Sequence, residues 1–357
     1  MIAPFTKPCH ASVLIDGQFG STGKGLIAAY LAQLNDCDIA TTNASANAGH
    51  TTVIGKRKFV CFHTPTFAAI NHSAKVYLNA GAIIDPDVLL KEVEEFGLAH
   101  RLVIHPHAAI ITDACREFEK DKTSGAAKIA STQKGVGAAQ MAKISRKGPV
   151  AKDISSISRW IGTMDLNKQM GLGARVVVEV PQGFGLSVNS GFWPYTTCRE
   201  VSVSQALADA AIHPSFLGYT MMTARTHPIR VGNLIDKETG KEIGYSGPVY
   251  NDQKEHTWEE LGREPELTTV TKRIRRIFSW SDQQYQHSLS MLRPDYVALT
   301  FCDYMPSADK LWELVRRMTQ AGKVPTLLSC GPDVADVYTT SAIDDMAMRL
   351  FAQGGAK

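Results

Sequence analysis

Hydrophobic positions along the chain fall in short continuous runs, separated by stretches in which they recur at helical spacing. Ser12 to Ile15 is an apolar run ending at Asp16-Gly17, and "KGLIAAYLAQL" behind it carries helix formers with apolar positions at helical spacing. That order predicts a strand, a turn and a helix. Val76 to Leu78 is the next strand candidate, "DPDVLLKEVEEFGL" reads as an amphipathic helix with Pro86 near its start, and "RLVIHP" returns as a strand. "ARVVVEVPQGFG", from Ala174 to Gly185, repeats the design of a strand running into a glycine turn. "DYVALTFCDYM" and "KVPTLLSCGP" read as buried strands flanking the helix "SADKLWELVRRMTQAG". Strands alternating with helices predict an α/β fold with a central, mostly parallel sheet flanked by helices, whose ligands gather at the carboxyl ends of the strands. The Gly- and Ser-bearing stretch from Thr123 to Gly148 and the polar, Pro-bearing stretch from Asn233 to Glu266 read as loops. With no repeat, low-complexity segment or linker in view, residues 1–357 are expected to form a single domain.

An apolar content of 44% is ample for a buried core, and a net charge of +3 with mixed signs leaves no field of the kind a duplex-binding protein needs. Nucleic acid is therefore not an expected partner. The seven cysteines are widely spaced and contain no CxxC pair, as expected of reduced thiols in a cytoplasm. No run of about 18 apolar residues occurs, so neither a membrane span nor secretion is expected.

The chemistry concentrates in three segments. "GQFGSTGKG" is a glycine-rich turn leading into a helix, where unpaired amides, a positive dipole end and Lys24 can hold an anion. It breaks the common phosphate-loop pattern twice: five residues instead of four separate Gly17 from Gly23, and Gly25 stands where a magnesium-binding Ser or Thr should follow the lysine. The alternative is a tight strand-helix connection with a solvated lysine. "TTNASANAGHTT" is small and polar except for His50, which is expected in a loop, either donating to a substrate oxygen or serving as a hydrogen-bonded structural histidine. Because Lys24 and His50 lie in polar, glycine-bearing segments, neither is expected to matter much for stability. "TTVTKRIRRIFSW" places Lys272, Arg273, Arg275 and Arg276 behind Thr268, Thr269 and Thr271, a set suited to carboxylate or phosphate, or else a solvated basic edge.

Taken in order, these segments resemble the adenylosuccinate synthetases. "GQFGSTGKG" resembles that family's GQWGDEGKGK loop, and "NAGHT", Asn47 to Thr51, matches its second motif without change. "STQKGVG" from Ser131 resembles STTGRGIG, "KISRKG" resembles KVARRG, and "PQGFG" with "GFWPYTT" resembles GAQGT with TYPYVT. "TVTKRIRR" is similar to the TVTGRPRR of the shorter archaeal members, and the resemblance runs from Asp16 to "SCGPD" at Ser329 to Asp333. It implies the fold of that family, a phosphate-loop-like α/β architecture. It also implies a two-step ligation, in which a nucleotide γ-phosphoryl group activates a purine 6-oxygen and the amine of L-aspartate then displaces phosphate.

By family position, Ser21, Lys24 and His50 would be the catalytic positions, with Lys24 touching the transferred phosphoryl group and His50 donating toward the 6-oxygen. Gly20, Ser21, Thr22, Gly23, Lys24 and Gly25 with Asn47, Gly49, His50 and Thr51 would surround the phosphates, and Asp303, Gly331 and Pro332 would meet the donor nucleotide. Magnesium would sit against the Gly49 carbonyl and position 21. Ser21, Asn47, Ser131, Thr132, Gln182 and Thr197 would hold the purine monophosphate, joined by Arg146 from a neighbouring subunit, so the resemblance implies a homodimer. Val270, Thr271, Arg273 and Arg275 would bind L-aspartate, the last three by its carboxylates or else by steadying the sugar side of the nucleotide.

Two positions depart from the family. Ser21 replaces the aspartate that removes the purine N1 proton and helps bind magnesium, and Thr22 replaces a glutamate. A serine hydroxyl is too weak a base at neutral pH, but it leaves room for a purine 2-amino group and can accept its hydrogen bond. The substitution resembles the bacteriophage branch of the family, which acts on dGMP in making diaminopurine DNA, and implies location in a host cytoplasm. Asp16, a magnesium-bound water or the substrate aspartate could take the proton instead. The family's guanine-reading TKLD has become Thr300, Phe301, Cys302 and Asp303, which points to ATP or dATP as donor rather than GTP. An ordinary synthetase using IMP and GTP, and a non-catalytic nucleotide-binding module, are the competing expectations.

Overall fold

The computed structural model describes residues 5–236, 238–268 and 271–342. Nine strands form the main sheet: β1 (Ala11–Asp16), β2 (Ile39–Thr42), β3 (Lys75–Leu78), β4 (Leu102–Ile104), β5 (Val176–Gly183), β6 (Leu217–Arg225), β7 (Tyr296–Thr300), β8 (Leu327–Ser329) and β9 (Val337–Thr339). Their spatial order is β9-β8-β7-β6-β1-β5-β2-β3-β4. All neighbours are parallel except β8 and β9, so the mostly parallel sheet expected from the alternation of elements is present.

A sheet covered on both faces must be apolar on both faces of its strands. Consecutive residues accordingly enter two different cores: Leu14, Ala40, Val177, Met221 and Ala298 on one face, and Val13, Ile15, Ile39, Val178, Met222 and Leu299 on the other. The helix Lys24–Leu34 joins the first core through Ile27 and Leu31, and the helix Ala308–Gln320 joins the second through Leu314 and Met318. Pro86 opens the helix Pro86–Glu95, where the Asp85 side chain accepts from the Val88 amide at 3.4 Å.

The expectation of a loop from Thr123 to Gly148 is corrected, because this stretch contains the helices Gly125–Lys128 and Val136–Ile144. The second helix hides its amphipathic signal in small residues: Val136, Ala138 and Ala139 pack on Ile83 and Ala109. Its start is capped from a distance, with the Glu119 carboxylate accepting from the amides of Gly135 and Gly137 at 2.7 Å each. The second stretch is also not wholly irregular, since Leu234–Ile235 pairs with Glu242–Gly244 and Glu255–His256 forms a further short strand.

Candidate active site

β1 lies between β5 and β6, and the glycine-rich turn leaves its carboxyl end in the middle of the sheet. Asp16 organises the turn. One oxygen of its buried carboxylate accepts from the amides of Gln18 at 2.8 Å and Gly20 at 3.4 Å. The other accepts from the Thr22 amide at 3.3 Å and the Thr22 hydroxyl at 2.5 Å. Burial pushes the Asp16 pKa up, against the Lys24 charge and the bonds from Thr22 and Gln18. Both of its oxygens are engaged within the turn, and Asp16 does not line the cleft.

Gly20, Ser21 and Gly23 take positive φ values of 90°, 56° and 71°, which bend the turn and leave Ser21 exposed at its tip. Gly25 explains one departure from the common loop. A Cβ there would stand 2.9 Å from the Thr51 carbonyl oxygen, so glycine lets the helix start pack on the hairpin His50–Ile54/Arg57–Cys61. His50, expected in a loop, is the first residue of that hairpin, because its polar neighbours bond along a two-stranded ladder.

The close packing places Lys24 Nζ 2.9 Å from His50 Nε2. Burial, opposed by Asp16 and Glu179, lowers the Lys24 pKa; burial and then the Lys24 charge hold His50 well below 6.5. An ammonium can only donate, so Nε2 accepts and the imidazole proton resides on Nδ1, the atom left to donate to a ligand. We expect the nitrogen-15 chemical shifts of His50 to remain those of a neutral Nδ1–H ring down to pH 6. A ring that titrates near pH 6.5 would contradict this arrangement.

A cleft of about 380 Å³ opens over the turn. It is lined by Gly20, Ser21, Thr22, Gly23, Lys24 and Gly25, by Asn47, Gly49, His50 and Thr51, and by Thr132, Gln182 and Arg275. Gln182 donates to Asn47 Oδ1 at 3.0 Å, while its own buried Oε1 has no partner among the described residues. That leaves an acceptor for a ligand N–H. Arg275 Nη1 donates to Ser21 Oγ at 2.6 Å.

Other expected positions do not line the cleft. Ser131 offers its carbonyl to Arg273 Nη2 at 2.8 Å, Thr271 Oγ1 lies 3.2 Å from Arg273 Nε, and Thr197 is tied through its amide to Leu186 at 2.8 Å. Arg146 is exposed just beyond the helix Val136–Ile144, with a φ of 61°. Asp303 pairs with Arg263 at 3.6 Å, Gly331 accepts from Ser329 Oγ at 3.0 Å, and Pro332 is exposed. Val270 and Thr269 lie outside the described residues. The sequence reading missed several residues that do line the cleft, among them Phe19, Lys58, Arg230 and Glu266. Only Phe19 carried a signal, by its place inside the glycine-rich motif.

Among the described residues, no group of three or more His, Cys, Asp or Glu side chains could hold a metal, and no helix is long and apolar enough to cross a membrane. A glycine-rich turn at the carboxyl edge of a parallel sheet, with a buried lysine against a histidine, defines a nucleotide-phosphate-handling α/β protein. The Adenylosuccinate synthetase family model matches residues 13–161 and 161–323, and the chain belongs to that family. It is 35% identical to the N6-succino-2-amino-2'-deoxyadenylate synthase of Acinetobacter phage SH-Ab 15497, over 92% of this chain and 93% of that one. To the adenylosuccinate synthetase of Pyrococcus horikoshii it is 28% identical, over 91% and 97% of the two chains. Among solved structures, the cyanophage S-2L succinoaminodeoxyadenylate synthetase bound to dGMP and to dATP as an energy donor superposes with a TM-score of 0.84. It is 31% identical, with 96% of this chain and 99% of that chain covered. Fully ligated adenylosuccinate synthetase from Plasmodium falciparum shares the fold, with a TM-score of 0.75 at 18% identity over 93% and 99% of the chains.

Proposed function

We propose that this enzyme joins L-aspartate to the 6-position of dGMP at the expense of a nucleoside triphosphate, giving 2-amino-2'-deoxyadenylosuccinate for diaminopurine DNA. The observation that carries this reading is Ser21: where the family has an aspartate, a small hydroxyl faces the cleft, and the turn around it keeps Gly20, Gly23, Lys24 and Gly25 against the same cleft. In the first step the purine 6-oxygen attacks the γ-phosphorus, the N1 proton leaves and the nucleoside diphosphate departs. In the second step the aspartate amine attacks C6 and phosphate leaves. Both steps concentrate negative charge, which the turn amides and the Lys24 ammonium can stabilise while His50 donates toward the 6-oxygen.

Magnesium, held by the Gly49 carbonyl and the Ser21 hydroxyl and otherwise by water and phosphate, would neutralise phosphate charge. Gly49 and Ser21 both line the cleft, and a backbone carbonyl and a hydroxyl are hard oxygen donors of the kind that ion takes. The unpartnered Gln182 acceptor suits a purine N–H, and Arg275 suits an aspartate carboxylate. In this reading the enzyme is a homodimer, and the exposed Arg146 reaches the partner's monophosphate.

Phosphate release measured over a panel of purine monophosphates, with and without L-aspartate, tests the assignment. Release should require dGMP, L-aspartate and triphosphate together, and equal or better turnover of IMP would overturn it. The donor is a separate question. Phe301 lines the cleft, with the Arg225 guanidinium stacked 3.7 Å from its ring centroid, and an aromatic ring can stack on adenine without a guanine-specific donor set. ATP or dATP should support turnover at least as well as GTP, and activity confined to GTP would show that the ring does not select the donor.

A further inference from the structure

Arg225, at the carboxyl end of β6, is the largest fully buried side chain among the described residues, yet its guanidinium contacts three residues that line the cleft, Ser21, Glu266 and Phe301. It forms a forked pair with Glu266, Nη2 to Oε1 at 2.6 Å and Nη1 to Oε2 at 3.2 Å. The same Nη1 donates to the Ser21 carbonyl at 3.3 Å, and the guanidinium plane stacks on Phe301. Glu266 in turn accepts from the Tyr304 hydroxyl at 2.8 Å, and its Oε2 lies 3.9 Å from Arg275 Nε, whose guanidinium holds Ser21 Oγ. Burial, the largest influence on Glu266, works to neutralise it, but Arg225, Tyr304 and Arg275 hold its pKa below the usual range. The pair is therefore ionised.

A buried ion pair seldom adds net stability over an apolar pair of similar volume, so stability alone does not account for this one. Its contacts do. Ser21 and Phe301 both adopt left-handed backbone conformations, with φ of 56° and 57°, and need external fixation. One guanidinium supplies it to both.

We propose that the Arg225–Glu266 pair is the positioning element for purine selectivity: it fixes Ser21 by its carbonyl directly, and by its hydroxyl through Arg275, in register with the Phe301 ring. This rests on the reading of dGMP as acceptor and names the residues that enforce it. A serine hydroxyl discriminates a 2-amino group only if it is held within a few tenths of an ångström, because a loose hydroxyl can follow either purine.

The test is Glu266→Gln, which keeps the shape and removes the charge, assayed with dGMP and IMP on folded protein. The preference for dGMP in kcat/KM should fall by about tenfold or more, chiefly through a higher KM for dGMP. Tyr304→Phe, which removes only the hydroxyl on Glu266, should shift the ratio in the same direction by less. The double variant Arg225→Met with Glu266→Met separates positioning from folding. Its thermal midpoint should return toward wild type while the lost selectivity does not. Selectivity within about threefold of wild type in Glu266→Gln, or its recovery together with stability in the double variant, would overturn the inference. A wild-type enzyme that does not prefer dGMP over IMP would instead overturn the substrate reading, and this inference with it.

Discussion

Ser21→Asp should raise the ratio of turnover on IMP to turnover on dGMP by about 10² or more, because it returns a positioned carboxylate base while filling the space a 2-amino group needs. The backbone will accept the change, since Ser21 already has a φ of 56° and aspartate tolerates that region better than most residues. Arg275, 2.6 Å from the serine hydroxyl, would meet the new carboxylate and hold it in the cleft. The two substrates should therefore respond in opposite directions, whereas a merely unstable variant would lose both activities together. The measurement is the pair of rates on folded protein, and an unchanged ratio would mean that position 21 does not read the purine 2-position.

Lys24→Met should lower turnover with dGMP, L-aspartate and dATP by about 10² or more, since a full positive charge is lost where phosphoryl charge develops. The structure changes what this variant does to stability. Lys24 is only 5% exposed, and its charge is set against the buried Asp16 and Glu179 carboxylates, so its loss leaves two buried acids without a counter-charge. A cost on the order of 1–3 kcal/mol is expected, in contrast to the small effect anticipated for a loop lysine. Rates should be compared at a temperature where both proteins are folded, as checked by thermal unfolding. Turnover within fivefold of wild type would remove Lys24 from the chemistry.

Much of the fold was legible because parallel strands buried on both faces leave uninterrupted apolar runs, such as those ending at Asp16 and Thr300. The helix Val136–Ile144 was not, because it packs with alanine and glycine and takes its cap from Glu119, well back in the chain. Within the cleft, residues 20–25 and 47–51 were found together as expected, since each group is local in sequence. Arg225 and Glu266 gave no such sign. An ion pair joins two residues that each look like an ordinary polar position, and only the parallel pairing of β6 beside β1 brings one of them next to the turn.

That pairing bears on the order in which the protein is made. The glycine-rich turn is held by partners far along the chain: the Gly17 amide donates to the Thr223 carbonyl at 2.9 Å, and the Thr300 hydroxyl donates to the Thr22 carbonyl at 2.9 Å. During synthesis, the turn leaves the ribosome long before β6 and β7 exist. The first nucleotide-binding motif to be translated is thus among the last to take shape, and a nascent chain cannot capture a triphosphate with it until almost the whole sheet has been assembled.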